Sequence, residues 1–328
     1  VAFIDQSCRP ARPTPSDPAD PQRSFDASLD WIRPLLQPLQ DHSSGAADDA
    51  PAIGTLDQYS IHSVIGQGGM GVVLRSFGFS DLETLAGVGA ARTRFMREAQ
   101  AAAAIVHPAI VPIYSVVPSA RLPYLVMPCI DGGNLQQRLD REGPLELTEV
   151  VRIGLQIAEG LSAAHTNSVL HRDIKPANIL IEEGNGRVLI SDFGLARALD
   201  DATLTNSGMI AGTPQYMSPE QARGEPLDAR SDLFSLGSLL YALATGRPPF
   251  RAESPLGVLR KITETRAKPI QEINERMPRW FDNLVARLME PDLTLRINSA
   301  DKAVTLLREV NAHVRNPTVN RLPESLNE

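Results

Sequence analysis

Cysteine, lysine and aromatic residues are all scarce in this sequence, and each shortage narrows what the chain can be. Two cysteines in 328 residues, Cys8 and Cys129, are too few and too far apart for a disulfide framework or a zinc site, so a reducing compartment is the default expectation. Of the 32 basic side chains only Lys175, Lys261, Lys268 and Lys302 are lysine, and residues 1–174 hold none. Acidic side chains outnumber basic ones, 39 to 32, which gives a net charge of −7 and no electrostatic footprint for nucleic acid or anionic lipid. No window offers the ~18 consecutive apolar residues of a membrane span. The opening stretch has Asp5 and no apolar run after a basic start, so no signal peptide is read there. A cytoplasmic location and no nucleic-acid partner are the expectations.

With 42% hydrophobic residues, the chain can bury a core in one large or two moderate domains. Residues 1–51 carry eight prolines among Ser, Asp and Ala, a composition that cannot bury enough apolar surface to offset its ordering entropy. Residues 1–58 are therefore expected to be a flexible tail, within which Leu29, Trp31, Ile32, Leu35 and Leu36 form a short apolar patch. From Tyr59 the runs YSIHSVIG and GVVLRSF, joined by a glycine-rich turn, predict a β-hairpin. ARTRFMREAQAAAA at 91–104 predicts a helix, and IVPIYSVV at 110–117 and YLVMPCI at 124–130 predict strands. Asp131-Gly132-Gly133 breaks the pattern. Beyond it LTEVVRIGLQIAEGLSAAHT, SDLFSLGSLLYALATG, FDNLVARLM and ADKAVTLLREVNAHV all show helical spacing. The expected fold class is α+β, with a small β-rich lobe at 59–130, a large helical lobe at 131–315 and a C-terminal tail at 316–328.

The hairpin turn reads Gly66-Gln67-Gly68-Gly69-Met70-Gly71, and glycines there let backbone N–H groups approach anionic phosphates. A dinucleotide site would need a helix directly after the turn, whereas GVVLRSF follows. The more specific signal is His171-Arg172-Asp173-Ile174-Lys175-Pro176-Ala177-Asn178, followed after a short hairpin by Asp192-Phe193-Gly194. Together with GTPQYMSPE and SDLFSLG, in this order and spacing, these motifs resemble the eukaryotic-type serine/threonine protein kinase superfamily from about Tyr59 to about His313.

The resemblance implies a two-lobed kinase fold, ATP and Mg²⁺, and protein substrates with Ser or Thr acceptors. It makes Asp173 the residue that orients the substrate hydroxyl and accepts its proton, and Asn178 and Asp192 the magnesium ligands. Lys175 would neutralise the transferring phosphate, and HRDIKPAN looks like the serine/threonine branch. It also implies phosphate contacts from Gly66, Gly68, Gly69 and Gly71, and Val73 and Leu180 on either face of the purine. Met127 would guard the back of the adenine pocket, with the backbone of Pro128 and Ile130 at the adenine edge. Thr203, Thr205 and Ser207 in the activation segment are phosphorylation candidates, and Arg172 is expected to pair with a phosphate placed there. Thr213 resembles the threonine lining the acceptor pocket. Glu220 is expected to pair with Arg296, and Asp232 to support the catalytic-loop backbone.

One part departs from the family pattern. Relatives carry a lysine on the third small-lobe strand, paired with a helix glutamate. Glu98 supplies the glutamate, but GFSDLETLAGVGAA has neither a lysine nor a strand-like run and is roughly nine residues short. Losing that cation is expected to cost about 10²- to 10³-fold in rate. Arg75, on the Val73 face of its strand, is a candidate substitute, and Glu98 is expected to turn to Arg197. Two readings follow: a serine/threonine kinase regulated by activation-loop phosphorylation, or a pseudokinase scaffold that binds nucleotide and transfers phosphate poorly.

Overall fold

The computed structural model describes residues 2–5, 53–56, 59–68, 71–77, 90–118, 123–193 and 214–326. The chain divides into two units, one made of residues 1–96 and 113–130 and the other of 97–112 and 131–328. Among the described residues the first is mainly sheet and the second mainly helix, as the α+β expectation requires.

Among the described residues the first unit holds six strands: β1 (Ala2–Asp5), β2 (Gly54–Leu56), β3 (Tyr59–Gly68), β4 (Gly71–Phe77), β5 (Ser115–Val117) and β6 (Tyr124–Met127). They form one sheet in the order β2-β3-β4-β1-β6-β5. β3 and β4 make the predicted hairpin, with Gly68 opposite Gly71 and register shifts at Ile61/Ser63 and Val64/Gly66. Leu56, Tyr59, Ile61, Leu74, Tyr124 and Val126 are its buried apolar core. Tyr59 and Tyr124 meet edge to face, with ring centroids 6.0 Å apart.

The expected flexible tail is thus interrupted at both ends. Ala2–Asp5 lies in the middle of the sheet, parallel to both neighbours, and Gly54–Leu56 pairs with β3. The patch at Leu29–Leu36 lies outside the described residues. The strand expected at 124–130 stops at Met127, since Pro128 has no N–H for the ladder. The strand expected at 110–117 is shorter still: only Ser115–Val117 pairs with β6, while Ile110 bridges Ile190 in the second unit. Cys129 is disulfide-bonded, a bond that the default of a reducing compartment did not anticipate.

Helix α1 (Ala90–Ala103) crosses from the first unit to the second at Met96/Arg97. In the second unit β7 (Gly132–Asn134), β8 (Ile179–Glu182) and β9 (Val188–Ile190) form a small antiparallel sheet. The Asp131-Gly132-Gly133 break is therefore the start of a strand. Gly132 has φ +136°, and a Cβ there would stand 2.0 Å from the Ile181 carbonyl oxygen, so only glycine fits the position.

The helices that follow are α2 (Leu135–Glu142), α3 (Leu147–Thr166), α4 (Pro219–Ala222), α5 (Ala229–Thr245), α6 (Pro255–Glu264), α7 (Arg279–Leu288) and α8 (Ala300–Arg315). α5 is buried on every face from Ser231 to Thr245, so it is the axis of this unit, with α3, α7 and α8 packed against it. Close packing requires small residues on it: a Cβ at Gly237 would come within 2.7 Å of Met289. The C-terminal segment also packs, because Leu326 is buried and its carbonyl accepts from Asn283 Nδ2 at 3.1 Å. Among the described residues no helix is long and apolar enough to cross a membrane.

Candidate active site

Residues 171–178 connect α3 to β8 and are fixed from below by Asp232 in the first turn of α5. One carboxylate oxygen of Asp232 accepts the His171 N–H at 2.9 Å, and the other accepts the Arg172 N–H at 2.7 Å. The first oxygen also accepts His165 Nε2–H at 2.8 Å. Burial alone would push this carboxyl up, but His165 and His171 beside it and the Arg172 N–H outweigh burial and hold it below the usual carboxylate range. A buried anion is therefore satisfied by two backbone donors and an imidazole, and the loop is pinned where it turns through Arg172 at φ +68°.

His171 is fully buried and ties this loop to the strand end that carries Asp192. Its Nε2 faces the Ser191 carbonyl at 2.7 Å, and its Nδ1 faces the Asp173 N–H at 3.2 Å. Phe193 packs edge to face on the ring, centroids 4.7 Å apart.

On this support Asp173, Lys175, Asn178 and Asp192 come together. Lys175 Nζ donates to Asp173 Oδ2 at 2.7 Å. Asn178 Nδ2 donates to the same oxygen at 2.9 Å and to the Asp173 carbonyl at 2.8 Å. Asp173 Oδ1 is thus left for another donor, as a group that takes a hydroxyl proton requires. Asp192, with φ +61°, is pushed above the usual aspartate range by burial, against the opposing pull of His171 and of the Ser191 hydroxyl. Such a carboxylate lacks compensating charge, and a divalent cation would supply it. Asn178 and Asp192 offer the hard oxygens that Mg²⁺ takes, so the residues present fit that ion.

Behind the site, Arg296 Nη1 donates to Glu220 Oε1 at 2.7 Å and Nη2 to Oε2 at 3.1 Å, with both side chains buried. The expected Glu220–Arg296 pair is present. Gln221 is a positioning residue that the sequence reading passed over: its Nε2 donates to the Arg172 carbonyl at 2.7 Å. The signal was there, since Ser218 and Gln221 form a capping box at the start of α4. Arg197, the partner expected for Glu98, lies outside the described residues; Glu98 pairs with Arg172 at 3.5 Å.

The expected nucleotide residues fall in both units. Gly66 and Gly68 lie on β3, Gly71 and Val73 on β4, Met127 at the end of β6, and Pro128 and Ile130 just after it; Gly69 lies outside the described residues. Leu180 is in the second unit, on β8 between Asn134 and Leu189. Arg75 lies on β4 in register with Asp5, its Nε buried and without a hydrogen-bond partner. The activation-segment hydroxyls Thr203, Thr205, Ser207 and Thr213 lie outside the described residues.

The protein kinase domain model matches residues 59–307. The chain belongs to the protein kinase family. This kinase domain is 40% identical over 238 residues to a probable serine/threonine-protein kinase of Corynebacterium efficiens, covering 68% of this chain and 36% of that protein. It is 46% identical over 171 residues to the serine/threonine-protein kinase PknB of Mycolicibacterium smegmatis, covering 50% and 27%. A probable serine/threonine-protein kinase of Streptomyces coelicolor is 36% identical over 260 residues, covering 75% and 38%. The kinase chain thus spans roughly a third of the length of the relatives it matches.

Proposed function

We propose that this chain is a serine/threonine protein kinase that transfers the ATP γ-phosphate to protein hydroxyls. The observation that carries this reading is the hydrogen-bonded set Asp173, Lys175 and Asn178 beside Asp192, all anchored through Asp232. Phosphoryl transfer needs positioning and charge neutralisation more than covalent chemistry. Asp173 holds the acceptor hydroxyl and takes its proton. Lys175, already paired to Asp173, neutralises charge on the phosphoryl group in transit. Asn178 and Asp192 hold Mg²⁺, which neutralises the phosphate oxygens of ATP when bound.

Gly66, Gly68, Gly69 and Gly71 supply backbone donors to phosphate, while Val73, Met127, Pro128, Ile130 and Leu180 receive the adenine. With no lysine in residues 1–174, the phosphates lack one cation, and transfer runs about 10²- to 10³-fold below that of relatives that have it. Phosphorylation at Thr203, Thr205 or Ser207 draws Arg172 away from Glu98 and so regulates the site.

The specificity follows from the Asp173–Lys175 pair, which the family resemblance places in the serine/threonine branch. Incubation with γ-labelled ATP and a peptide library containing Ser, Thr and Tyr acceptors tests it. Label on Ser and Thr is expected; label confined to Tyr would contradict the assignment.

A further inference from the structure

Within the second unit, α5, α6, α7 and the segment 265–269 enclose a cavity of about 230 Å³. Phe234 and Tyr241 stand two turns apart on one face of α5 and both line it. Phe250 stacks on Phe234, ring centroids 6.3 Å and ring planes 9° apart, and Ile262, Val285 and Met289 complete the apolar wall. Ala267 and Ala286 contribute one methyl each, which leaves room that larger side chains would fill. The rim is exposed and carries Thr265, Arg266 and Lys268.

Two polar groups of this cavity are left over once the rest are paired. Tyr241 is only 3% exposed, yet its hydroxyl has no hydrogen-bond partner among the described residues. Burial, helped by Asp282 and Glu272 and opposed by Arg247, pushes that hydroxyl up to about 12, so near neutrality it is an uncharged donor. Lys268 is the second: it has no acidic partner among the described residues. The other two charges are engaged. Arg266 donates from both Nη atoms to the Glu290 carboxylate at 3.1 Å. Asp282 lies in the first turn of α7, and both its oxygens accept the Ile270 N–H at 3.1 Å.

We propose that this cavity is a binding site for a small aromatic monocarboxylate, with its rings against Phe234, Phe250, Val285 and Met289, its carboxylate at Lys268 and a polar ring substituent accepting from the Tyr241 hydroxyl. Size sets the number of rings: a cavity of ~150 Å³ holds one benzene ring, and drug-sized ligands need about 300 Å³ or more, so one or two rings fit here. The stacked phenylalanines and the Met289 thioether favour a flat aromatic body over an alkyl chain. One unpaired cation, with the Asp282 carboxylate on the same wall, limits the ligand to a single negative charge. Nothing in this proposal depends on the phosphotransfer reading.

Methyl NMR of the full chain, labelled at Ala and Met and titrated with 6-hydroxy-2-naphthoate, tests it. Saturable shifts at Ala267, Ala286 and Met289 are expected, with a Kd of about 1 mM or below. The uncharged 6-hydroxy-2-naphthamide is expected to bind the parent about fivefold more weakly, and Lys268→Met, which keeps an apolar stem at an exposed position, to lose about the same for the acid and nothing for the amide. Tyr241→Phe is expected to lose about fivefold for the hydroxylated probe and nothing for 2-naphthoate, which has no substituent to accept the bond. No saturable shift at the three methyls up to about ten times the expected Kd would overturn the proposal, and so would shifts confined to Met127 or other methyls away from the cavity. Equal affinity of acid and amide for the parent, a comparison that needs no variant to fold, would overturn the carboxylate assignment.

Discussion

The guanidinium of Arg172 stands 3.5 Å from the Glu98 carboxylate, both side chains largely shielded from water, and the other Glu98 oxygen is buried without a partner. Arg172, next to Asp173, is therefore engaged by Glu98, the glutamate for which the family resemblance implied a lysine partner.

A double-mutant cycle measures it. Glu98→Gln and Arg172→Lys are each expected to destabilise by about 1 kcal/mol, with a coupling of about 0.5–1 kcal/mol read from thermal unfolding. Additivity within about 0.3 kcal/mol would mean that the two residues do not interact.

Glu220 and Arg296 give a larger and pH-dependent effect. Burial pushes the Glu220 carboxyl up, but the Arg296 guanidinium and Ser231 hydroxyl prevail and hold it below the usual glutamate value of 4.5. A folded-state value below the unfolded one contributes stability that is complete above about pH 4.5 and is lost as pH falls through the depressed value. Glu220→Gln leaves a buried guanidinium without its counter-charge and is expected to cost about 3 kcal/mol or more near neutrality. Urea unfolding at pH 7 and pH 4 checks both parts: the gap between parent and variant should narrow at the lower pH.

Asp192 carries the opposite sign. Its value is raised, so its charged form is a penalty in the folded protein that grows as pH rises through the unfolded and then the folded value. Asp192→Asn is expected to leave the melting temperature of the metal-free protein unchanged or higher, while lowering phosphotransfer by at least about 10²-fold. Mg²⁺-ATP should raise the melting temperature of the parent and not of the variant. Equal shifts in both would contradict the assignment of Asp192 to the metal.

The disulfide at Cys129 makes a simple chemical prediction. The sequence holds one other cysteine, so a non-reducing peptide map of protein purified without reductant is expected to join Cys8 to Cys129. Two free thiols under denaturing, non-reducing conditions would contradict it.

How much of this was legible in the sequence varied with the kind of force involved. The helices of the second unit were readable because apolar spacing and caps are local. The roles of Glu220, Arg296 and Asp232 came from motif resemblance, and geometry matched them. Besides the Cys129 disulfide, three features escaped: the insertion of Ala2–Asp5, the turn of Glu98 to Arg172, and the Gln221 bond to the Arg172 carbonyl. Each joins residues more than 45 positions apart, and no local pattern of residue types encodes which remote partner a strand edge or a side chain will find.

The central claim is phosphotransfer by this chain in spite of the absent lysine. It is tested most directly by mass spectrometry of purified protein incubated with ATP and Mg²⁺, beside an Asp173→Asn control and a known kinase acting on a test substrate in the same buffer. Phosphate on Thr203, Thr205 or Ser207 in the parent and not in the control is the predicted result. Parent and control equally unmodified, with the known kinase active, would contradict it and leave a nucleotide-binding scaffold in its place.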